Sequence, residues 1–204
     1  MAEFSRLSAM VEREFKELVW VDPKQVLVNL RWAEEHLPVD TPPKSRRLRT
    51  NDLKEWREAR EAAIFAYGIG ASVLKTSVYV AKCERRDFDF VMRWADEARD
   101  YFYPVQMKEL PPADLNPDIS IDAILAKLAK YSGTDDLAVA VHVNRRMRFE
   151  YEPWRGNDKP RVRELWYFGS ASPDGTEWFL YGDVLRSTAR YHTFSYPDGE
   201  PNVA

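Results

Sequence analysis

Two short segments decide the fold: Arg86-Asp87-Phe88-Asp89-Phe90-Val91-Met92 and, a little further on, Tyr103-Pro104-Val105-Gln106-Met107-Lys108. Both alternate polar and apolar residues, which is the pattern of a half-buried β-strand. A period of two places Asp87 and Asp89 on one face of the first strand, and Phe88, Phe90 and Met92 on the other. It places Gln106 and Lys108 together on one face of the second strand. If the two polar faces coincide, a carboxylate, an amide oxygen and an ammonium group converge on one patch.

Further helices and strands are predicted on both sides of this strand pair. A helix over residues 52–68 and a strand over 76–83 precede the pair, and a helix over 120–131 follows it. The apolar stripe of the first helix consists of Leu53, Trp56, Ala63, Ile64 and Tyr67. Residues 137–143 form a near-continuous apolar run, which indicates a central strand buried on both faces. The order helix, three strands, helix, strand predicts an α/β (α+β) fold with a mixed central sheet.

The two ends of the chain are expected to add to this core. Residues 3–18 and 23–36 have the spacing of amphipathic helices, and a proline-rich and arginine-rich linker follows them. In the C-terminal part, two aromatic segments flank the turn signal Pro173-Asp174-Gly175, which predicts a β-hairpin. The expected organisation is therefore a helical arm of residues 1–40 and an α/β domain of residues 51–204, with its core at 51–144 and a β-rich extension at 150–204. A homodimer through the N-terminal helices is one expected partnership.

Composition and charge narrow the class of protein. The chain has 204 residues, of which 45% are hydrophobic, so a folded domain is expected. The single cysteine, Cys83, excludes an internal disulfide, and neither a membrane span nor a signal peptide is apparent, so we expect a soluble cytoplasmic protein. The net charge of −3 argues against general binding to nucleic acid. Local basic clusters nevertheless lie at 44–49, 145–148 and 155–163, and a local patch is enough to contact phosphates.

The element order and the polar residues together resemble the core of the PD-(D/E)XK nuclease superfamily. The resemblance covers residues 51–144 and depends on an acidic first helix, on Asp at the start of the second strand and on Gln106-Met107-Lys108 at the end of the third. It implies a restriction-endonuclease-like αβββαβ core and metal-dependent hydrolysis of phosphodiester bonds in DNA or RNA. The family usually has Asp or Glu where this chain has Gln106, which lowers the charge available to a metal ion.

The resemblance also implies roles for particular side chains. Asp89 or Asp87 would ligate Mg²⁺ or Mn²⁺, and the choice between them stays open, although Asp89 is favoured because it directly precedes Phe90. The oxygen of Gln106 is the further metal ligand. Lys108 would hold the attacking water or the phosphate as a compact cation. The expected catalytic residues are thus Asp87, Asp89, Gln106, Lys108 and, from the first helix, Glu61.

Several of these residues allow a simpler interpretation. Glu61 lies at the flank of the apolar stripe and reaches toward the sheet, but it also fits a solvated acidic face. His142 interrupts the apolar run of residues 137–143, where a hydrogen-bonded core histidine is the expected role. The alternative function is a catalytically silent protein of the nuclease fold that binds nucleic acid or a protein partner. A purely structural protein that associates through its N-terminal helices is a third.

Overall fold

The computed structural model describes residues 9–86, 88–128, 134–147 and 159–202. Its helices are α1 (Ala9–Lys16), α2 (Pro23–Glu35), the short α3 (Pro43–Arg46), α4 (Lys54–Gly68) and α5 (Ile121–Leu128). A 3₁₀ turn (Asn51–Leu53) leads into α4, and a π-helical turn (Ile69–Leu74) continues it. The strands are β1 (Tyr79–Arg86), β2 (Phe88–Ala95), β3 (Asp100–Leu110), β4 (Thr134–Val143), β5 (Val162–Ser170), β6 (Glu177–Gly182) and β7 (Arg190–Ser195).

In the described part of the chain, seven strands form one mixed sheet in their order along the sequence. β1, β2 and β3 are antiparallel neighbours, whereas β4 runs parallel to both β3 and β5. β5, β6 and β7 are again antiparallel. The predicted mixed α/β class is confirmed, and the helices and strands occur in the predicted order. The structure also has β7, which was not expected, and a short helix, α3, inside the expected linker.

The central position of β4 follows from its composition. Ala138 and Ala140 pack into the core under α4, and Val139 and Val141 pack on the opposite side against α5. All four residues have no exposed surface. A strand with apolar side chains on both faces is stable only when both faces are covered, so β4 lies inside the sheet as predicted.

The small residues of α4 determine how closely this helix approaches the sheet. Its buried face includes Ala62, Ala63 and Ala66 beside Ile64 and Phe65. Trp56, which was predicted to belong to the apolar stripe, is 57% exposed, so that assignment is wrong. The alanine-rich second half of the helix packs on the sheet, because short side chains let the helix backbone approach it, and Trp56 lies in the first half.

The two glycines at the end of α4 permit close packing and do not end the helix. A Cβ atom on Gly68 would lie 2.5 Å from the ring of Phe194 in β7. A Cβ atom on Gly70 would lie 2.9 Å from the carbonyl oxygen of Thr76. The helical segment continues past both glycines and ends at Leu74; the next residue, Lys75, adopts a left-handed conformation with φ of 57°. Because of this extension, β1 begins at Tyr79, later than the predicted strand.

The alternation predicted for β2 holds from Phe90 onward. Phe90 and Met92 lie in the core under α4, but Phe88 packs against Phe15 and Val91 on the other side of the sheet. The expectation that Phe88 shares the face of Phe90 is therefore wrong. The register between β1 and β2 shifts between Lys82 and Arg86, and such irregularities change the face to which a side chain points.

The N-terminal helices pack on opposite sides of the same sheet. Phe15 of α1 lies 5.9 Å from Phe88 and 5.7 Å from Phe102 between ring centroids. Leu27 of α2 belongs to the core under α4, and its carbonyl oxygen accepts a hydrogen bond of 2.9 Å from the hydroxyl of Tyr196. These helices thus share a core with the sheet. The division of the chain into residues 1–40 and 51–204 stays a prediction.

Replacement of Leu27 by alanine tests whether α2 is part of the core. Leu27 has no exposed surface, so we expect Leu27→Ala to lower the free energy of unfolding by about 3 kcal/mol. Val39→Ala, at a site that is 98% exposed, is the control and should change it by less than about 0.5 kcal/mol. Urea denaturation of both variants measures the difference. Equal stabilities would contradict the packing of α2 described above.

Candidate functional site

Three ionisable side chains meet under α4 at the carboxyl ends of β3 and β4. Glu109 of β3 and His142 of β4 are register partners in the parallel pair, and Glu61 extends from α4 toward them. The Nδ1 atom of His142 lies 3.2 Å from Oε1 of Glu61. Each of the three residues offers one possible ligand atom, and these atoms all lie within 4.8 Å of one another. Among the described residues, this group, here called the Glu–Glu–His cluster, has a donor set that can hold a metal ion.

The cluster is held in place by an arginine and an asparagine. The guanidinium of Arg49 donates to both oxygens of Glu109, over 2.9 Å to Oε2 and 2.5 Å to Oε1. Asn144, in the segment after β4, donates to Oε1 of Glu109 over 2.9 Å. Burial alone would raise the pKa of Glu109, but the hydrogen bonds from Arg49 and Asn144 outweigh it and lower that pKa. Glu109 is consequently held as a carboxylate.

The imidazole of His142 contacts two aromatic rings and one carboxylate. Its ring stacks on Phe168 of β5 at 4.8 Å between centroids and 15° between planes, and Trp178 lies 5.9 Å away. The side chains of His142 and Glu61 are each 8% exposed. A lone ionisable residue in an apolar strand needs a polar partner, and Glu61 supplies it. The sequence-based expectation of a hydrogen-bonded core histidine therefore describes His142 correctly. The sequence did not indicate that Glu109 also lies close to His142.

The cluster borders a cleft of about 1020 Å³ that opens at the same end of the sheet. Its walls come from the loop after α3, from α4, from the segments after β3 and β4, and from the turn between β5 and β6. Among the described residues, seven arginines but only three carboxylates line it. Ligands of open α/β sheets bind beyond the carboxyl ends of parallel strands, which is where this cleft lies.

The arginines of the cleft differ in how their charge is balanced. Three of them pair with carboxylates: Arg47 with Asp114, Arg49 with Glu109, and Arg60 with Glu34. Three others donate to backbone carbonyl groups, which carry no net charge: Arg46 to Pro38, Arg57 to Leu48, and Arg145 to Pro111, Asn116 and Ile119. For Arg146, the described residues supply no hydrogen bond or ion pair. Within the described part, four arginines therefore bring positive charge to the cleft without a carboxylate partner.

The residues expected from the sequence to form the active site are only partly brought together. Pairing between β2 and β3 starts at Phe90 and Val105, so the preceding Asp89 lies where the two strands separate. The carboxylate of Asp89 accepts hydrogen bonds from the side-chain amide of Gln106 and, over 2.7 Å, from the backbone N–H of Met107. Burial raises the pKa of Asp89, whereas the Met107 hydrogen bond and the charge of Lys108 act in the opposite direction.

The expected site has two further members, Asp87 and Glu61. Asp87 falls outside the described residues. Glu61, the candidate from the first helix, contacts His142, and none of the contacts made by the described residues joins it to Asp89. Asp89 and Gln106 thus meet each other at the end of the β2–β3 pair, and Lys108 acts on Asp89 through its charge. None of these three residues lines the cleft.

Comparisons with known proteins give no relative for this chain: no family model, no curated protein and no solved structure matches it. Among the described residues, no helix has the length and apolar character needed to cross a membrane.

The ion pair between Glu109 and Arg49 should make stability depend on pH in a defined direction. Because the pKa of Glu109 is lowered by folding, its charged form stabilises the fold above its ordinary pKa of 4.5. That contribution is lost as the pH falls through the lowered value. We expect Glu109→Gln to reduce the free energy of unfolding by about 2 kcal/mol near neutral pH, and by progressively less in acid.

Urea denaturation of the metal-free protein across the acidic range measures this effect. Glu35→Gln, at an exposed residue of α2, is the matched control and should show no such convergence with the wild type. A stability difference between wild type and Glu109→Gln that stays constant from neutral pH into strong acid would contradict the assigned role of the Glu109 carboxylate.

Proposed function

We propose that this protein is a metal-dependent, nuclease-like protein that binds the phosphate backbone of nucleic acid in the arginine-lined cleft and hydrolyses phosphodiester bonds there. The observation that carries the proposal is the cleft itself, in which four arginines that have no carboxylate partner among the described residues lie near the Glu–Glu–His cluster. Guanidinium groups bind phosphate oxygens in a planar, two-point geometry, so Arg46, Arg57, Arg145 and Arg146 suit such a ligand. The net charge of the chain is −3, so this local excess of positive charge is opposite in sign to the charge of the whole chain.

The fold supports the same proposal in its finer detail. We propose that α4, β1 to β3, α5 and β4 correspond to the αβββαβ core of restriction-endonuclease-like proteins. The support is the element order, the antiparallel β1–β2–β3 arrangement and the parallel pairing of β4 with β3. Asp89 lies at the separation of β2 and β3, next to Gln106, where the resemblance expects an acidic site.

We propose that a divalent cation is held by Glu61, Glu109 and His142. Their two carboxylates and imidazole suit Mn²⁺ better than Mg²⁺, because Mg²⁺ prefers oxygen ligands. When bound, the ion would polarise a phosphoryl oxygen and acidify a water molecule. The arginines of the cleft hold the phosphate and stabilise the negative charge that develops on its oxygens. The aromatic rings of Phe168 and Trp178 keep the His142 imidazole in a fixed orientation.

The Asp89–Gln106–Lys108 group supports metal binding less well. Asp89 is the one carboxylate of this group among the described residues, and its Oδ2 atom accepts hydrogen bonds from the Gln106 amide and the Met107 N–H. The Glu–Glu–His cluster, by contrast, brings two carboxylates together. Gln106 also adds no charge. Lys108 does not line the cleft, so we propose that it acts on a bound phosphate only through its positive charge.

Binding experiments test the cleft directly. The double variant Arg57→Gln, Arg146→Gln should bind a short fluorescent oligonucleotide more weakly. The slope of the logarithm of the binding constant against the logarithm of the salt concentration should become shallower by about one unit for each lost phosphate contact. Arg99→Gln is the matched control, because Arg99 lies in the β2–β3 turn at the opposite end of the sheet. Fluorescence anisotropy at several salt concentrations gives both quantities. If the double variant and the control bind alike, the cleft is not the nucleic-acid site.

Cleavage experiments test the chemistry. We expect DNA or RNA to be cut only with Mg²⁺ or Mn²⁺. Glu61→Gln should reduce the cleavage rate by about 100-fold, because a neutral amide holds the metal ion less tightly than a carboxylate. Lys108→Ala should reduce the rate less than Glu61→Gln while the far-ultraviolet spectrum stays unchanged. Loss of cleavage with Lys108→Ala but not with Glu61→Gln would assign the chemistry to Asp89, Gln106 and Lys108 instead.

A catalytically silent protein of the same fold is the second candidate, and one observation favours it. Arg49 already neutralises Glu109, and Gln106 lacks the usual carboxylate, so both groups of side chains have less negative charge than an active metal site commonly has. Binding of the oligonucleotide without cleavage, in the presence of either metal ion, would identify this function. A homodimer through the N-terminal helices remains a separate proposal, which the molar mass in solution tests.

A further inference from the structure

Glu109 belongs to two arrangements at once, the Glu–Glu–His cluster and the ion pair with Arg49. Arg49 donates to both of its oxygens, and Asn144 adds a second donor on Oε1. A carboxylate offers about four acceptor positions in total. Three of those on Glu109 are already taken, and the guanidinium adds a positive charge beside the cluster. A cation that binds to the cluster therefore has to compete with Arg49 for Glu109.

Arg49 is also part of the cleft wall. It lies in the loop after α3, and its side chain is 12% exposed, so it borders the cleft while it contacts Glu109. The planar guanidinium binds a carboxylate and a tetrahedral oxyanion with the same two-point geometry. A phosphate group in the cleft is thus an alternative acceptor for the hydrogen bonds that Glu109 now receives.

We propose that Arg49 couples the two binding events: an oxyanion in the cleft draws Arg49 away from Glu109, and Glu109 then becomes available to a divalent cation held with Glu61 and His142. This coupling rests on the proposed function, in that it takes the ligand of the cleft to be a phosphate. Since linkage is reciprocal, the cation must increase the affinity for the oxyanion by the same factor. The metal site is weak without substrate and forms fully when substrate is present.

The chemistry of the cluster indicates which cation to use as the probe. Imidazole nitrogen is a poor ligand for Mg²⁺, which prefers oxygen donors in an octahedral arrangement, whereas Mn²⁺ accepts both nitrogen and oxygen. Mn²⁺ has an electron paramagnetic resonance signal that reports the concentration of the unbound ion. Sulfate is a suitable oxyanion, because it has the shape and charge of phosphate and itself binds Mn²⁺ weakly.

The experiment is a titration of the full-length protein with Mn²⁺, with sulfate or with chloride at matched ionic strength. We expect sulfate to raise the Mn²⁺ affinity of the wild type by about 5-fold or more, in the usual range of coupling between sites. Arg49→Leu should bind Mn²⁺ more tightly than the wild type without sulfate, and sulfate should no longer change its affinity. A residue that only supports the structure would not produce tighter binding when it is removed.

Further variants separate the coupling from effects on folding. Arg49→Lys keeps the charge but loses the two-point contact, so its Mn²⁺ affinity should lie between those of the wild type and Arg49→Leu. Glu109→Gln should abolish the response to sulfate, and Arg99→Leu, at the opposite end of the sheet, should match the wild type. Circular dichroism verifies that each variant is folded, and if Arg49→Leu fails to fold, Arg49→Lys supplies the comparison.

Two results would overturn the coupling. One is an Mn²⁺ affinity of the wild type that sulfate does not change, or the absence of Mn²⁺ binding under both conditions. The other is an Arg49 variant that folds but binds Mn²⁺ no more tightly than the wild type. An Mn²⁺ affinity that sulfate does not change, or an Arg49 variant without tighter binding, would leave the proposed function standing if nucleic acid is still cut in a metal-dependent reaction. Absence of Mn²⁺ binding under both conditions would contradict the proposed metal site as well. Sulfate-dependent Mn²⁺ binding by a protein that neither binds nor cuts an oligonucleotide would support the coupling and overturn the proposed function.

Discussion

The parallel pairing of β3 with β4 is the constraint on which the rest of the structure depends. It aligns Leu110 with Val143 and, one position earlier, Glu109 with His142. Both strands end at the same edge of the sheet, so two ionisable groups are placed side by side at the boundary between an apolar core and solvent. β4 can occupy this central position only because its residues are apolar on both faces. The location of the cleft follows from this arrangement, since the segments that leave β3 and β4 form two of its walls.

The same constraint makes α4 part of the site. Its alanine-rich face brings the helix close to the sheet, and Glu61 at the edge of that face reaches His142. Carboxylates under a helix are unfavourable unless they have partners, and here His142, Arg49 and Asn144 supply them. Removing one partner would leave a poorly solvated charge, so these residues form one interdependent unit. That interdependence is why Arg49 can influence the cluster although it belongs to the wall of the cleft.

The sequence predicted most of the fold because the fold depends on local patterns. The apolar run at 137–143 and the alternation from Phe90 to Met92 each indicated a strand and its burial. The site was harder to predict because it depends on register between strands that are far apart in the chain. Glu109 has no distinguishing local feature beside Lys108, and only its alignment with His142 gives it a role. Two features of the sequence did indicate the site. One was the polar His142 inside an apolar strand, and the other was the pair of basic clusters at 44–49 and 145–148, which supply five of the arginines that line the cleft.

The central claim is that a divalent cation binds among Glu61, Glu109 and His142 in a cleft built for phosphate. Crystals grown with sulfate and soaked in Mn²⁺, with diffraction data collected at a wavelength where manganese scatters anomalously, give the most direct measurement. The account predicts an anomalous peak within ligand distance of both carboxylates and the His142 ring, with Arg49 turned toward a sulfate ion in the cleft. A peak beside Asp89 and Gln106 instead, or no peak in either place, would contradict it.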